Sequence, residues 1–148
     1  MRNLRKSIWL LFLAYLVILI ACGRVQDTGI VTPNPVPNPG NQPTLSSIQA
    51  NTFSTRCGIA PCHVAGGLAP FRLDNQGQSF TSLVGVQSLH NPNKQRVAAN
   101  TPNNSYLLDI IQGNGVNGAV MPPGGNNLLS QAQIKQISDW IAAGALNN

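Results

Sequence analysis

One short segment limits what this chain can fold around more than any other part of the sequence. It reads Cys57-Gly-Ile-Ala-Pro-Cys62-His63, two thiols followed directly by an imidazole. Covalent attachment of haem c needs this combination, because each thiol adds to one vinyl group of the porphyrin and the histidine ligates the iron. The usual motif has two residues between the cysteines, whereas this segment has four. We therefore interpret Cys57, Cys62 and His63 as a haem-attachment motif with a long spacer.

The amino terminus has the pattern of a bacterial lipoprotein leader. Three basic residues precede an apolar run over residues 8–20, which is shorter than the roughly 20 residues of a membrane-spanning helix. The run ends in Leu19-Ile20-Ala21-Cys22, which resembles a lipobox. We expect residues 1–21 to be a signal peptide and Cys22 to carry lipid, and several acyl chains anchor stably. An uncleaved signal anchor is the alternative.

Lipidation of Cys22 also accounts for the odd number of cysteines, since the chain has three and an unpaired one in an exported protein needs an explanation. Cys57 and Cys62 then remain as a pair. They are also compatible with a disulfide, or with a zinc site for which His90 is the one other histidine. Haem attachment is favoured because a disulfide has no use for the adjacent His63.

Composition divides the remainder into a tether and one domain. Residues 31–43 are dense in Pro and Asn and form neither helix nor sheet, so residues 22–45 are interpreted as a lipidated, extended tether and residues 46–148 as the folded domain. The formal net charge of +5 comes largely from the leader. Because the other basic residues are spread along the chain, we expect no nucleic-acid partner.

The folded domain shows helical signals separated by loops. We expect a first helix capped at Ser46 or Ser47, with Phe53 facing the same side as Cys57 because it lies four residues earlier. A short helix over residues 79–84 follows, and then one that opens at Thr101-Pro102 and ends near residue 113. The last helix is the best delimited. The following residues mark its capping box, its apolar face and its C-terminal cap: Ser130, Gln133, Ile134, Ile137, Ile141 and Gly144.

Met121 is the candidate for the second axial ligand of the iron. Apart from the initiator it is the sole methionine of the chain, and it lies in a Pro- and Gly-rich loop. A lone Met usually fills a gap in a core, but this loop position favours a ligand. His90 is the rival, although its Asn/Pro-rich surroundings indicate an exposed turn. The other ring nitrogen of a ligating histidine usually donates to an acceptor such as a backbone carbonyl, and for His63 we expect a carbonyl near Ala69 and Pro70.

Residues 48–145 resemble the small mono-haem cytochrome c domains of planctomycete-type and related bacterial lipoproteins. The resemblance is carried by the attachment motif, by Ser105-Tyr-Leu-Leu, by Met121-Pro-Pro and by the ending Ile137-Ser-Asp-Trp-Ile-Ala-Ala-Gly-Ala145. It implies an all-α cytochrome c fold of four or five short helices around one covalent haem, with the first and last helices packed together. The four-residue spacer departs from the commonest form of the family but recurs in parts of it.

These patterns together predict a single-electron carrier rather than an enzyme. A His/Met pair leaves no open position on the iron and raises its reduction potential. We expect one covalent haem c, redox proteins as partners, and lipid anchoring on the periplasmic side of a bacterial membrane, the outer one being favoured over the inner. Arg56, Arg72 and Arg96 are candidates to face the haem carboxylates or a partner, against the alternative of solvated surface charges. A haem enzyme or sensor with a labile sixth ligand, and a haem-free, disulfide-bonded lipoprotein, remain as alternative functions.

Overall fold

The first described helix, α1, spans Leu45–Ile48. The computed structural model of the protein describes residues 43–125 and 128–148, all of them within the unit Pro37–Asn148. Thr44 is the cap of α1, because its extended backbone lets Oγ1 accept a hydrogen bond from the backbone N–H of Ser47 at 3.1 Å. The expected caps Ser46 and Ser47 were therefore wrong, since both residues already lie inside the helix.

A π-helix, Gln49–Cys57, continues directly from α1 and ends at the first motif cysteine. Its last turn is closed by a hydrogen bond of 2.6 Å from the N–H of Gly58 to the carbonyl of Phe53. Phe53 is 1% exposed and lies in the core, against which Cys57 also packs. Cys57 in addition lines the cavity described below, whereas Phe53 does not.

Helix α2 spans Gln76–Leu83 and begins earlier than expected, because the side chain of Asn75 caps it by accepting from the N–H of Gln78. Leu83 is buried near the end of the helix. The segment that follows α2 makes isolated bridges such as Val84 to Val97. No strand is formed within residues 43–125 and 128–148.

The helix expected from Thr101 onward is divided in two. Pro102–Asn104 forms a 3-10 turn, and α3, Tyr106–Ile111, begins only after Ser105. Ser105 is fully buried and extended because its hydroxyl accepts the N–H of Ala98 at 2.9 Å. This bond, to a residue seven positions earlier, holds the backbone of Ser105 outside the helix. A second 3-10 turn, Val116–Gly118, precedes the Met121 loop.

The final helix, α4, spans Gln131–Ala142 and confirms the predicted capping box in both directions between Ser130 and Gln133. Its buried face carries Ile134, Ile137, Trp140 and Ile141. The chain leaves the helix through Gly144, whose φ of +102° is a left-handed conformation that favours glycine.

The described part of the chain is all-α, as expected, and α1 contacts α4 in its core. Leu45 and Ile48 are fully buried together with Ile137 and Ile141. The carbonyl of Asn148 accepts the N–H of Ser46 at 2.8 Å, which joins the two ends of the described domain. Among the described residues, no helix has both the length and the apolar character needed to cross a membrane.

Candidate functional site

A cavity of about 390 Å³ brings together the four residues predicted to bind haem. Cys57, Cys62, His63 and Met121 all line it, although Met121 lies far from the motif in the sequence. Its volume falls within the roughly 300–1,000 Å³ of small-molecule sites. Most of its remaining lining is apolar and comes from the loop after His63, the end of α2, helix α3 and the Met121 loop. The motif thus opens onto a preformed apolar pocket.

The ring of His63 is held by a backbone carbonyl. Its Nδ1 lies 3.1 Å from the carbonyl oxygen of Phe71. Because a carbonyl can only accept, Nδ1 carries the proton and the lone pair of Nε2 is left for a metal. The backbone carbonyl expected near Ala69 and Pro70 is that of the next residue, Phe71. The bond from the N–H of Leu73 to the carbonyl of His63, at 2.8 Å, sets the register of this loop.

The same phenylalanine links His63 to an arginine. The rings of His63 and Phe71 lie 4.5 Å apart between centroids, and the guanidinium carbon of Arg96 lies 4.1 Å from the Phe71 centroid. Arg96 is fixed further by a bond of 2.8 Å from Nη1 to the carbonyl of Ser82. Phe71 therefore constrains the imidazole both through its carbonyl and through its ring.

Burial keeps His63 in the form that ligates metals. Loss of solvation lowers the pKa of His63 below its usual 6.5, and the positive charge of Arg96 adds to this, while the hydrogen bond to Phe71 acts in the opposite direction. A pKa below 6.5 means that the imidazole is mostly neutral at neutral pH.

The two motif cysteines are unpaired thiols in this structure. Burial and, to a smaller extent, the nearby Cys62 raise the pKa of Cys57 to about 11, with Arg56 acting in the opposite direction. Cys57 is thus a protonated thiol at neutral pH. Within residues 43–125 and 128–148, no three His, Cys, Asp or Glu side chains form a group that could hold a metal ion, so Cys57, Cys62 and His63 do not form one.

The long spacer between the cysteines is a closed turn packed against the following loop. The N–H of Cys62 donates to the carbonyl of Ile59 at 2.7 Å, and the N–H of His63 donates to that of Cys57 at 3.2 Å. A side chain at Gly58 would collide with the carbonyl of Leu73 and would approach the Cα of Asp74 to 2.6 Å. The spacer needs glycine at position 58 because two backbone segments meet there.

Replacing Gly58 by Ala should therefore lower the free energy of unfolding by about 1–3 kcal/mol, the usual cost of overpacking. Urea denaturation of the purified domain measures this change. Gly77→Ala in α2 is the matched control, since the nearest atom to its added Cβ is 3.7 Å away. Equal stability of the two variants would contradict the close packing of the spacer.

Met121 lies in the loop between the second 3-10 turn and α4. Its N–H donates to the carbonyl of Ile110 at 2.9 Å, and Pro122 and Pro123 follow it in the cavity wall. The side chain is 40% exposed, unlike a methionine that fills a core. Met121 and His63 line the same cavity.

His90 is exposed, as its sequence surroundings predicted, but it also lines the cavity. Its ring stacks on buried Tyr106 with centroids 6.3 Å apart. No local pattern connects these residues, because the contact is made by elements distant in the sequence. The pocket lining therefore includes two side chains besides His63, Met121 and His90, of a type that can ligate a metal.

The other sequence-predicted residues divide between the pocket and its surroundings. Arg56 and Arg96 line the cavity, whereas Arg72 does not and instead pairs with Asp74 at 2.6 Å. Cys22, the signal peptide over residues 1–21 and residues 22–42 of the tether lie outside the described residues. Comparison with known proteins found no matching family model, no similar curated protein and no similar solved structure.

Proposed function

We propose that the chain is a c-type cytochrome that carries single electrons. In this proposal Cys57 and Cys62 hold haem c covalently, and His63 and Met121 ligate its iron. One observation carries the proposal: the fold brings both thiols, the imidazole and a distant thioether to one apolar cavity. Cys57, Cys62 and His63 are neighbours in the sequence, whereas Met121 reaches the same cavity from 58 residues after His63.

The residues that line the cavity fit such a group. The tautomer of His63 leaves Nε2 as an acceptor, and imidazole with thioether is a known ligand pair of haem iron in electron carriers. Cys57 lies next to His63 in the cavity wall and is unpaired, as thioether formation requires. Apolar side chains of α3, including Leu107, Ile110 and Ile111, supply the rest of a wall suited to a porphyrin.

When bound, the haem supplies an iron that accepts and releases one electron. The residues around the iron would restrict it to electron transfer. Phe71 orients His63 through its carbonyl. Met121 would ligate the iron as well, which would leave no open site for oxygen or peroxide, and the apolar wall would limit the access of water. A reduced partner gives one electron to the oxidised protein, and the reduced protein passes it to an oxidised partner. No substrate bond is made or broken, so we propose a carrier and not an enzyme.

The amino-terminal pattern supplies the proposed location. Lipid on Cys22 and the Pro/Asn-rich tether would hold the domain at the periplasmic side of a bacterial membrane, the outer membrane being favoured. Redox proteins of that compartment would be its partners. An even spread of charge along the chain supports the expectation that nucleic acid is not among them.

A potentiometric titration with carbon monoxide as a second probe tests the carrier function. We expect a reversible one-electron transition and no spectral change when carbon monoxide is added to the reduced protein, because Met121 occupies the sixth position. Rapid binding of carbon monoxide by the reduced wild-type protein would contradict the proposal. It would favour the haem enzyme or sensor with a labile ligand.

A further inference from the structure

Lys94 binds helix α3 and the turn before it. Its Nζ donates to both carboxylate oxygens of Asp109, at 2.7 and 3.0 Å, and to the backbone carbonyl of Asn103 at 2.9 Å. The side chains of Lys94 and Asp109 are each 24% exposed, and neither residue lines the cavity. The ion pair is therefore partly buried and lies outside the candidate haem site.

The backbone that follows Lys94 holds the beginning of the same helix. The N–H of Tyr106 donates to the carbonyl of Gln95, and that of Leu107 donates to the carbonyl of Arg96, both at 2.9 Å. The first N–H groups of a helix have no acceptor within it, so these two bonds supply acceptors from outside α3. One continuous segment, residues 94–96, thus fixes α3 through its backbone and through the side chain of Lys94.

The other end of α3 holds the Met121 loop. The N–H of Met121 donates to the carbonyl of Ile110 at 2.9 Å, and the N–H of Asn114 donates to the carbonyl of Asp109 at 2.7 Å. Because α3 has only the six residues Tyr106–Ile111, it is too short to be stable alone and depends on contacts with the rest of the fold. A change in how α3 is held should therefore reach Met121 through Ile110.

We propose that Lys94 and Asp109 are positioning residues for Met121: their ion pair fixes α3, and α3 fixes the backbone of the loop that carries Met121. This inference rests on the proposed function, since the position of Met121 matters to an iron only if haem is bound. Without the ion pair, the loop samples positions in which the thioether does not reach the iron. The ion pair thus determines the fraction of molecules in which Met121 is bound.

Replacement of Met121 by added imidazole measures this fraction in the oxidised, haem-loaded protein. The iron–sulfur bond breaks, an iron–nitrogen bond forms, and no electron or proton is transferred. Imidazole binds only to molecules in which Met121 has left, so its apparent affinity is proportional to their fraction. At about pH 8 imidazole is mostly uncharged, and a change in the charge of the protein therefore does not alter its access.

Hydrogen exchange at the Met121 amide is a second readout, and it does not depend on the iron. The bond from this N–H to the carbonyl of Ile110 protects it, so a loosened loop should exchange faster. The amide of Ile137 in α4 is the internal reference, because this residue is fully buried and reports opening of the core. Both readouts use the full chain.

Lys94→Met removes the charge from an unbranched side chain, and Asp109→Asn keeps the shape of the other partner. We expect each variant to raise the imidazole association constant about three- to tenfold, and the exchange rate of the Met121 amide by a similar factor. Combining the two should add little, because both remove the same interaction. Lys94→Arg keeps a charged donor and should restore most of the wild-type behaviour.

Lys135→Met is the matched control. Lys135 donates to both carboxylate oxygens of Asp139, at 2.7 and 2.9 Å, as Lys94 does to those of Asp109. This second pair lies within α4, Lys135 is 74% exposed, and neither residue lines the cavity. Because exposed pairs contribute little, the imidazole affinity of Lys135→Met should stay within about twofold of wild type.

The outcomes separate this inference from the proposed function. Unchanged imidazole affinity and amide exchange in both Lys94→Met and Asp109→Asn would refute the positioning role and leave the carrier function intact. Equal changes in Lys135→Met, or a parallel rise in exchange at Ile137, would also refute it, because a general loss of stability would explain them. A wild-type protein without haem would refute the proposed function, whereas exchange at Met121 would still test the link from Lys94 to the loop.

Discussion

The double variant Cys57→Ser, Cys62→Ser is expected to contain no covalently bound haem. A serine hydroxyl does not form the thioether that joins each cysteine to a porphyrin vinyl group, so the change removes both bonds while keeping side chains of similar size. The measurement is in-gel haem staining of the denatured protein after export in a strain with a c-type maturation system. We expect the signal to fall from about one haem per chain to none.

The third cysteine is the control for this experiment. Cys22→Ala removes the proposed lipidation site and leaves both motif thiols in place, so the protein should retain its haem. Each single variant, Cys57→Ser or Cys62→Ser, should keep at most one thioether. Covalent haem that persists in the double variant would contradict the assignment of these two cysteines.

Met121→Ala is expected to produce the second large effect. The sulfur-to-iron charge-transfer band of the oxidised protein should disappear, and the reduction potential should fall, because a thioether raises the potential of a histidine-ligated haem. A fall of at least about 60 mV corresponds to a tenfold change in a one-electron equilibrium. Near-infrared absorption and redox titration measure the two changes.

The exposure of Met121 lets this experiment separate a ligand from a packing residue. Truncation of a buried methionine costs about 2–5 kcal/mol, whereas Met121 is 40% exposed and should cost the haem-free fold less than about 1 kcal/mol. A spectral change without loss of stability thus identifies a ligand.

His90→Ala is the matched control, because His90 lines the same cavity. It should keep both the charge-transfer band and the potential of wild type. If His90→Ala instead abolished the six-coordinate state while Met121→Ala kept it, His90 would be the ligand and the assignment of Met121 would be wrong.

Local signals in the sequence predicted the parts of the fold that local interactions determine. Helix α4 was located correctly because its capping box and isoleucine spacing lie within a few residues of one another. The beginning of α1 was missed because Thr44, Ser46 and Ser47 are all acceptable caps, and burial of Leu45 decides among them. The break at Ser105 depends on a bond to Ala98, which no short pattern contains.

The candidate site was likewise predictable where local sequence patterns determine it, and not where the folding of loops does. Its chemical groups, Cys57, Cys62, His63 and Met121, were predicted from residue type and spacing, and the cavity brings them together. The region of the carbonyl that orients His63 was predicted, whereas the particular residue, Phe71, depends on how the loop folds back through the bond between Leu73 and His63. The number of charged residues can be read from the sequence, but the ion pairs cannot. That Arg56 and Arg96 take part in none of the three ion pairs of the described domain is known only from the structure.

The haem content of the chain is the central claim, and the intact mass of the purified protein tests it most directly. The protein should be exported with its own leader in a strain that matures c-type cytochromes, then denatured and measured by mass spectrometry. We predict a red protein whose denatured chain has the mass of the processed polypeptide, with any lipid, plus one haem. A colourless protein whose mass is accounted for by the polypeptide and lipid alone would contradict the account.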